Sequence, residues 1–148
     1  MKFSKKSRYG VAALIDLAVN SKNGHVALGS IAERNEISPQ YLEQVFASLR
    51  RAGIVKSVKG SQGGYLLKYP SSSITVASII QALEGTYYLD DEETKTKESA
   101  AGIAETIQED IVDRVNHGLD QILQNLTLAD LEESFQERQS GGQEMYYI

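Results

Sequence analysis

The sequence predicts a mainly α protein interrupted by one small β-hairpin, and three observations predict it. Apolar residues recur at helical spacing, most cleanly Leu42, Val45, Phe46 and Leu49 at i, i+3, i+4 and i+7. Residues 54–59 turn β-branched, and Gly60-Ser61-Gln62-Gly63-Gly64 separates them from a second short strand at 65–69. Farther on, Val112, Val115, Leu119, Ile122 and Leu126 step by 3, 4, 3 and 4, which is a heptad seam within one long helix.

The chain has 148 residues, 41% apolar and 24% charged, enough for one domain with a real core or a small domain plus an appendage. Its net charge of −5 is unevenly spread. Residues 1–69 hold 11 Lys/Arg against 4 acids, a local +7, while residues 70–148 hold 4 against 16, a local −12. A basic first half on an acidic chain points to a local polyanion site. There is no cysteine, which excludes disulfides, thiolate metal ligands and a catalytic thiol. Lys2, Lys5, Lys6 and Arg8 precede an apolar stretch, but Asp16 interrupts it and no small-residue cleavage site comes after it, so no signal peptide is expected. No apolar run approaches a membrane span, and the expected location is the cytoplasm.

Residues 4–22 read as a helix capped by Ser4, with Val11, Leu14, Ile15 and Ala18 on one face. Lys5, Lys6 and Arg8 crowd its first turns, the wrong end for cations by the helix-dipole rule unless a phosphate lies nearby. Asn23-Gly24 signals a turn, residues 25–27 could form a short strand, and residues 30–35 a short helix. Ser38 then caps a helix with Pro39 in its first turn, closed by Arg50, Arg51 and Gly53. Outside the apolar stripe of this helix lie Gln40, Tyr41, Glu43, Gln44 and Ser48, all able to hydrogen-bond. Two short helices joined by a tight turn, the second with a polar outer face, match a helix-turn-helix whose second helix reads base edges.

The next element, the hairpin, reads as a wing. Lys56, Lys59 and Lys68 supply phosphate or minor-groove contacts, and Gly60, Ser61 and Gly63 lie at its tip. A nucleotide-binding loop is disfavoured, because no Gly-Lys-Ser/Thr comes after the glycines and no helix opens there. Thr75 caps a helix carrying Val76, Ile79, Ile80 and Leu83, which Gly85 stops. The fold class is therefore a winged helix-turn-helix, residues 1–85, with a long dimerisation helix behind it.

Residues 86–99, with Asp90-Asp91-Glu92-Glu93, are expected to form an exposed acidic loop. Residues 100–137 should hold the long helix and a short last helix, the latter opened by Thr127 and Asp130 as a capping box. The seam Val112, Val115, Leu119, Ile122 and Leu126, with Ile111 leading in, is expected to pack on its own domain or on a second copy, as a dimerisation helix docked on the body. Residues 138–148 are expected to be a flexible tail beyond Ser140-Gly141-Gly142, ending in Met145, Tyr146, Tyr147 and Ile148 as a peptide ligand for a partner pocket. No nucleophile–base–orienter set and no metal cluster is evident, so neither an enzyme nor a cofactor is expected. The competing reading is a protein-interaction module that works mainly through its tail.

Four motifs carry a resemblance. Lys6-Ser7-Arg8-Tyr9-Gly10, Tyr41-Leu42-Glu43-Gln44 and Gly63-Gly64-Tyr65-Leu66-Leu67 resemble the Rrf family of bacterial winged-helix regulators, as does Thr127-Leu128-Ala129-Asp130-Leu131. The resemblance implies a homodimeric, DNA-binding transcription factor, usually a repressor. It implies recognition-helix roles for Ser38, Gln40, Tyr41 and Glu43 and a wing role for Lys59. The iron–sulfur branch of the family places cysteines in the loop that is residues 87–99 here, where this chain has none. The ending Met145-Tyr146-Tyr147-Ile148 is similar to that of the cysteine-metabolism branch around CymR. That likeness implies O-acetylserine thiol-lyase, an enzyme of cysteine synthesis, as a partner docked by the tail.

Overall fold

A computed structural model describes residues 3–146. Helices α1 (Lys5–Asn20), α2 (Leu28–Asn35) and α3 (Pro39–Arg51) come first, and α4 (Val76–Glu84) comes after the hairpin. Three expected caps are in place: Ser4 accepts from the Ser7 amide at 3.2 Å, Ser38 from Tyr41 at 3.1 Å, and Thr75 from Ser78 at 3.1 Å. Each is worth about 1 kcal/mol, because it satisfies an amide that has no partner within its own helix. Helix α2 starts two residues earlier than its polar residues suggest, at Leu28. It ends on Glu36 in the left-handed region, φ 54°, with the Ile37 amide donating to Ala32 O at 3.0 Å. That closure folds Ile37 beneath the turn, where it is buried.

Strands β1 (Val55–Val58) and β2 (Gly64–Leu67) pair antiparallel, with Val55 opposite Leu67 and Val58 opposite Gly64. The short strand expected at 25–27 reduces to one bridge, Val26 with Tyr65, at 3.0 and 2.9 Å. Gly64 permits it, since a Cβ there would lie 2.3 Å from Val26 O. Phe46, Leu14, Leu17, Ile31, Leu42 and Leu49 are fully buried between the helices, and the Phe46 ring lies 4.7 Å from that of Tyr65. Gly10 lets α1 and α4 approach, because a Cβ would meet Leu83 Cδ1 at 2.3 Å.

The long helix is continuous but not uniform: α5 (Glu98–Ile107), a π-helical turn (Gln108–Asp113) and α6 (Arg114–Leu123). The π turn takes up an extra residue and shifts the phase of α6 relative to α5. The single expected seam divides into two faces. Val112 and Leu123 are buried, and Leu119 and Leu126 pack against the cluster of Val76, Ile80 and Tyr87. Ile111, Val115 and Ile122 stand exposed at 52%, 41% and 63%.

Two further expectations are corrected. The loop after α4 is not simply solvated: Tyr87 is buried, its hydroxyl bonded to Asp120, and Tyr88 Oη donates to the other Asp120 oxygen at 2.6 Å. Leu89 exchanges hydrogen bonds with the Asn116 side chain at 2.8 and 3.3 Å, and the Glu92 amide donates to Gln108 Oε1 at 2.6 Å. The last helix, α7 (Leu128–Tyr146), belongs to the N-terminal body rather than to a separate C-terminal unit. Leu128 is fully buried in the main core, its amide donates to Ile74 O at 2.8 Å, and Glu132 pairs with Lys22 at 3.0 Å. It opens on the expected capping box, Thr127 N to Asp130 at 3.0 Å and Asp130 N to Thr127 at 3.2 Å. It then runs through Gly141 and Gly142 instead of stopping near Gln136. A glycine costs about 1 kcal/mol but does not forbid a helix already nucleated and docked. Of the expected tail ligand, Met145 and Tyr146 have helical backbone, while Tyr147 and Ile148 lie outside the described residues.

Candidate functional site

The candidate site grows from the N-terminal half of α3. With Leu42, Val45, Phe46 and Leu49 facing the core, Gln40, Glu43, Gln44 and Arg50 are exposed on the opposite side, and Ser38 is exposed at its cap. Ser48 leaves this face: it is 8% exposed, bonded to Gln44 O at 3.4 Å and to Arg51 Nη2 at 3.2 Å. Tyr41 is half-buried, its ring edge-on to Tyr9 of α1 with centroids 5.6 Å apart. That contact joins the basic end of α1 to the start of α3.

Lys5 and Arg8 are exposed and Lys6 half-buried. Lys5 Nζ lies 5.8 Å from the Tyr9 ring centroid, and Arg8 stacks on Phe3 at 4.5 Å while donating to Phe3 O at 3.1 Å. The cations at a helix N-terminus have a counterweight that the sequence does not disclose. Glu84, from the end of α4, accepts from Ser7 Oγ at 2.6 Å, from the Ser4 amide at 3.3 Å and from Ser4 Oγ. A carboxylate there suits the positive end of the α1 dipole. Only tertiary structure brings residues 4 and 84 together, so no local signal could have revealed it.

On the other flank, the wing carries Lys56, Lys59, Gly60 and Ser61 exposed and Gly63 half-buried. A concavity of about 520 Å³ between α3 and the wing is lined by Glu43, Arg50, Gly60, Ser61 and Gly63, among others. The structure thus brings these predicted residues together. His25 was not anticipated: its Nε2 lies 2.5 Å from Gln62 O, so the Nε2–H tautomer fastens the wing tip to the segment before α2. No local signal could have revealed it, since the neighbouring Val26–Tyr65 bridge is itself a tertiary contact. The arrangement is a face of donors, acceptors and cations flanking a protruding helix, with a basic hairpin beside it. Such a face can span a groove and its phosphates.

Known proteins share this geometry. Residues 3–134 match the Rrf2 family, described as an iron-dependent transcriptional regulator. The chain is 38% identical over 135 residues to the HTH-type transcriptional regulator IscR of Yersinia enterocolitica, covering 88% of this chain and 79% of that one. The solved structure of CymR, the global cysteine regulator of B. subtilis, superposes with a TM-score of 0.75 at 36% identity, covering 90% of this chain and 98% of that one. That of T. potens IscR gives 0.69 at 40% identity, covering 94% and 91%.

The family's iron is tested by the donors present. The sequence has no cysteine, and among the described residues no group of three or more His, Cys, Asp or Glu could hold a metal ion. A thiolate-bound cluster does not fit this chain. In the loop after α4, the Tyr87–Tyr88–Asp120 cluster ties the chain down instead. Burial first, then the Asp120 hydrogen bond, pushes the Tyr87 phenol up to about 12. The same pair of phenol donors holds Asp120 below the usual carboxylate value. The helix-turn-helix, its hairpin wing and the family match over residues 3–134 agree: the chain belongs to the Rrf2 family of DNA-binding transcriptional regulators.

Proposed function

We propose that this chain is a homodimeric repressor that binds double-stranded DNA at a pseudo-palindromic operator, without an iron–sulfur cluster. One observation carries the reading: the basic end of α1, the open side of α3 and the wing share one face, joined by the Tyr9–Tyr41 contact and the α3–wing concavity. In this reading α3 lies in the major groove and Ser38, Gln40, Tyr41, Glu43 and Gln44 meet base edges. Lys5, Lys6, Arg8, Tyr9, Arg50 and Lys56 meet the backbone, and Lys59, Gly60, Ser61 and Gly63 enter the minor groove. The exposed stripe of Ile111, Val115 and Ile122 supports self-association, since a second copy would cover it in a two-fold pair.

The test is anisotropy of operator DNA across a salt series. With Lys59 on a phosphate at the groove edge in each protomer, Lys59→Ala is expected to reduce the slope of log K against log salt by about 2 for the dimer, about 1 per protomer. An unchanged slope means that Lys59 makes no phosphate contact.

The regulated process in this reading is sulfur metabolism, supported by the likeness to the cysteine regulator CymR. Met145, Tyr146, Tyr147 and Ile148 dock into O-acetylserine thiol-lyase. Deleting Ile148 is expected to abolish capture of that enzyme, and undiminished capture contradicts the docking.

A further inference from the structure

A second concavity, of about 570 Å³, opens between α1, α2 and α7 and shares no residue with the proposed DNA face. Its size lies in the range of small-molecule sites, roughly 300–1,000 Å³. One wall is apolar: Ile15 and Val19 of α1 and Phe135 of α7, a residue that remains 37% exposed. The polar end is the Asp16–Arg34 pair.

The bonding capacity left at that end decides what it can hold. Asp16 Oδ1 accepts from Arg34 Nη2 at 2.7 Å and Asn20 Nδ2 at 3.3 Å. Its Oδ2 accepts from Arg34 Nε at 2.9 Å and Asn35 Nδ2 at 3.0 Å. A carboxylate offers about four lone-pair sites, so Asp16 has no acceptor left for a bound cation. Arg34 has five N–H donors, and Asp16 engages only its Nε and one hydrogen of Nη2. The Arg34 side chain is 44% exposed, whereas that of Asp16 is 9% exposed. The charged function still open to a ligand is therefore the Arg34 guanidinium, beside an apolar wall and the amides of Asn20, Asn35 and Gln139.

We propose that this groove binds a small monocarboxylate with an apolar tail, its carboxylate on the outer N–H groups of Arg34 and its tail on Ile15, Val19 and Phe135. The location suits an effector. Arg34 and Asn35 end α2, and Glu36 comes next as the left-handed residue that turns the chain into α3. A ligand held there biases the α2–α3 turn, and any change it makes in DNA affinity must be matched by an equal change in its own affinity.

The test needs no DNA, so it stands or falls apart from the operator reading. The full chain is titrated with 4-methylvalerate, with isoamylamine (the same tail on a cation) and with acetate (no tail), and followed by amide and Arg Nε–H NMR shifts. The expected result is saturable shifts at Arg34, Asn35 and Phe135 with 4-methylvalerate, and binding at least about tenfold weaker for the other two. Arg34→Gln should weaken binding by about tenfold or more. Because that variant also breaks the Asp16 pair, Phe135→Ser, which leaves the pair intact, should weaken it as well. Equal binding of the amine, full affinity in both variants, or no saturation by about 10 mM overturns the proposal.

Discussion

Glu36 has φ 54° and ψ 43°, a left-handed conformation that a side chain disfavours by about 1–2 kcal/mol; the cap hydrogen bonds it makes are backbone bonds that glycine would keep, and the side chain is exposed. Glu36→Gly is expected to raise stability by roughly 0.5–1 kcal/mol after glycine's own entropy cost, read as a higher urea midpoint with unchanged slope. A lower midpoint would mean that the carboxylate makes a contact of its own. The turn residue was legible as a turn and not as strained, because glutamate carries no left-handed signal. The caps at Ser4, Ser38 and Thr75 were fully legible, since capping is local chemistry. Ser7 bonded to Glu84 and His25 bonded to Gln62 were not, because their partners lie 77 and 37 residues away. His25→Ala should leave the melting temperature nearly unchanged while increasing hydrogen exchange at the wing tip. Equal protection in both proteins would show that the wing is held by the Val26–Tyr65 bridge alone.

At the scale of elements, the loop after α4 behaves as a strap whose knot is Tyr87, Tyr88 and Asp120. The Tyr87 phenol, ordinarily at 10.0 and here pushed up to about 12, favours the folded state below its ordinary value, and that stability drains as pH climbs through its folded value. Asp120 acts in the opposite sense: its lowered value contributes stability above the ordinary 3.8, lost as pH falls through its folded value. Phenolate absorbance should therefore show a late-titrating tyrosine in the native protein, and Asp120→Asn should bring that titration earlier and lower the melting temperature. A native titration with every tyrosine near 10 would contradict the strap. The acidic composition of the loop hid it, because the anchors are chiefly two tyrosines and backbone amides, with Asp91 alone of the loop's acids accepting, among the described residues, from Gln108 Nε2 at 3.0 Å. The long helix was legible in extent, and its heptad step was misleading. The edge of α6 that meets the Val76, Ile80 and Tyr87 cluster runs through Leu119 and Leu123, so Leu123 goes inward while Val115 and Ile122 go outward.

For the whole molecule, the apolar stripe of Ile111, Val115 and Ile122 is the surface most in need of a partner. Ile122→Glu, at an exposed position, is expected to leave the monomer folded while shifting light-scattering mass from twice 16.3 kDa to 16.3 kDa. A dimer persisting in that variant would place the self-contact elsewhere. The division of charge along the chain, basic before residue 70 and acidic after it, was the broadest legible signal of function. The docking of α7 back onto α1 was not legible, since the pairing of Thr75 with Thr127 joins segments whose sequences give no hint of one another.

The proposed role depends above all on the face built from α1, α3 and the wing reading a two-fold symmetric DNA site. That dependence is best probed by incubating the purified protein with sheared genomic DNA at low salt and sequencing the fragments it retains. The expected outcome is enrichment of one inverted repeat whose half-sites are centred one or a few helical turns apart. Retention with no common sequence, or enrichment of a single unrepeated half-site, would overturn the two-fold reading of that face.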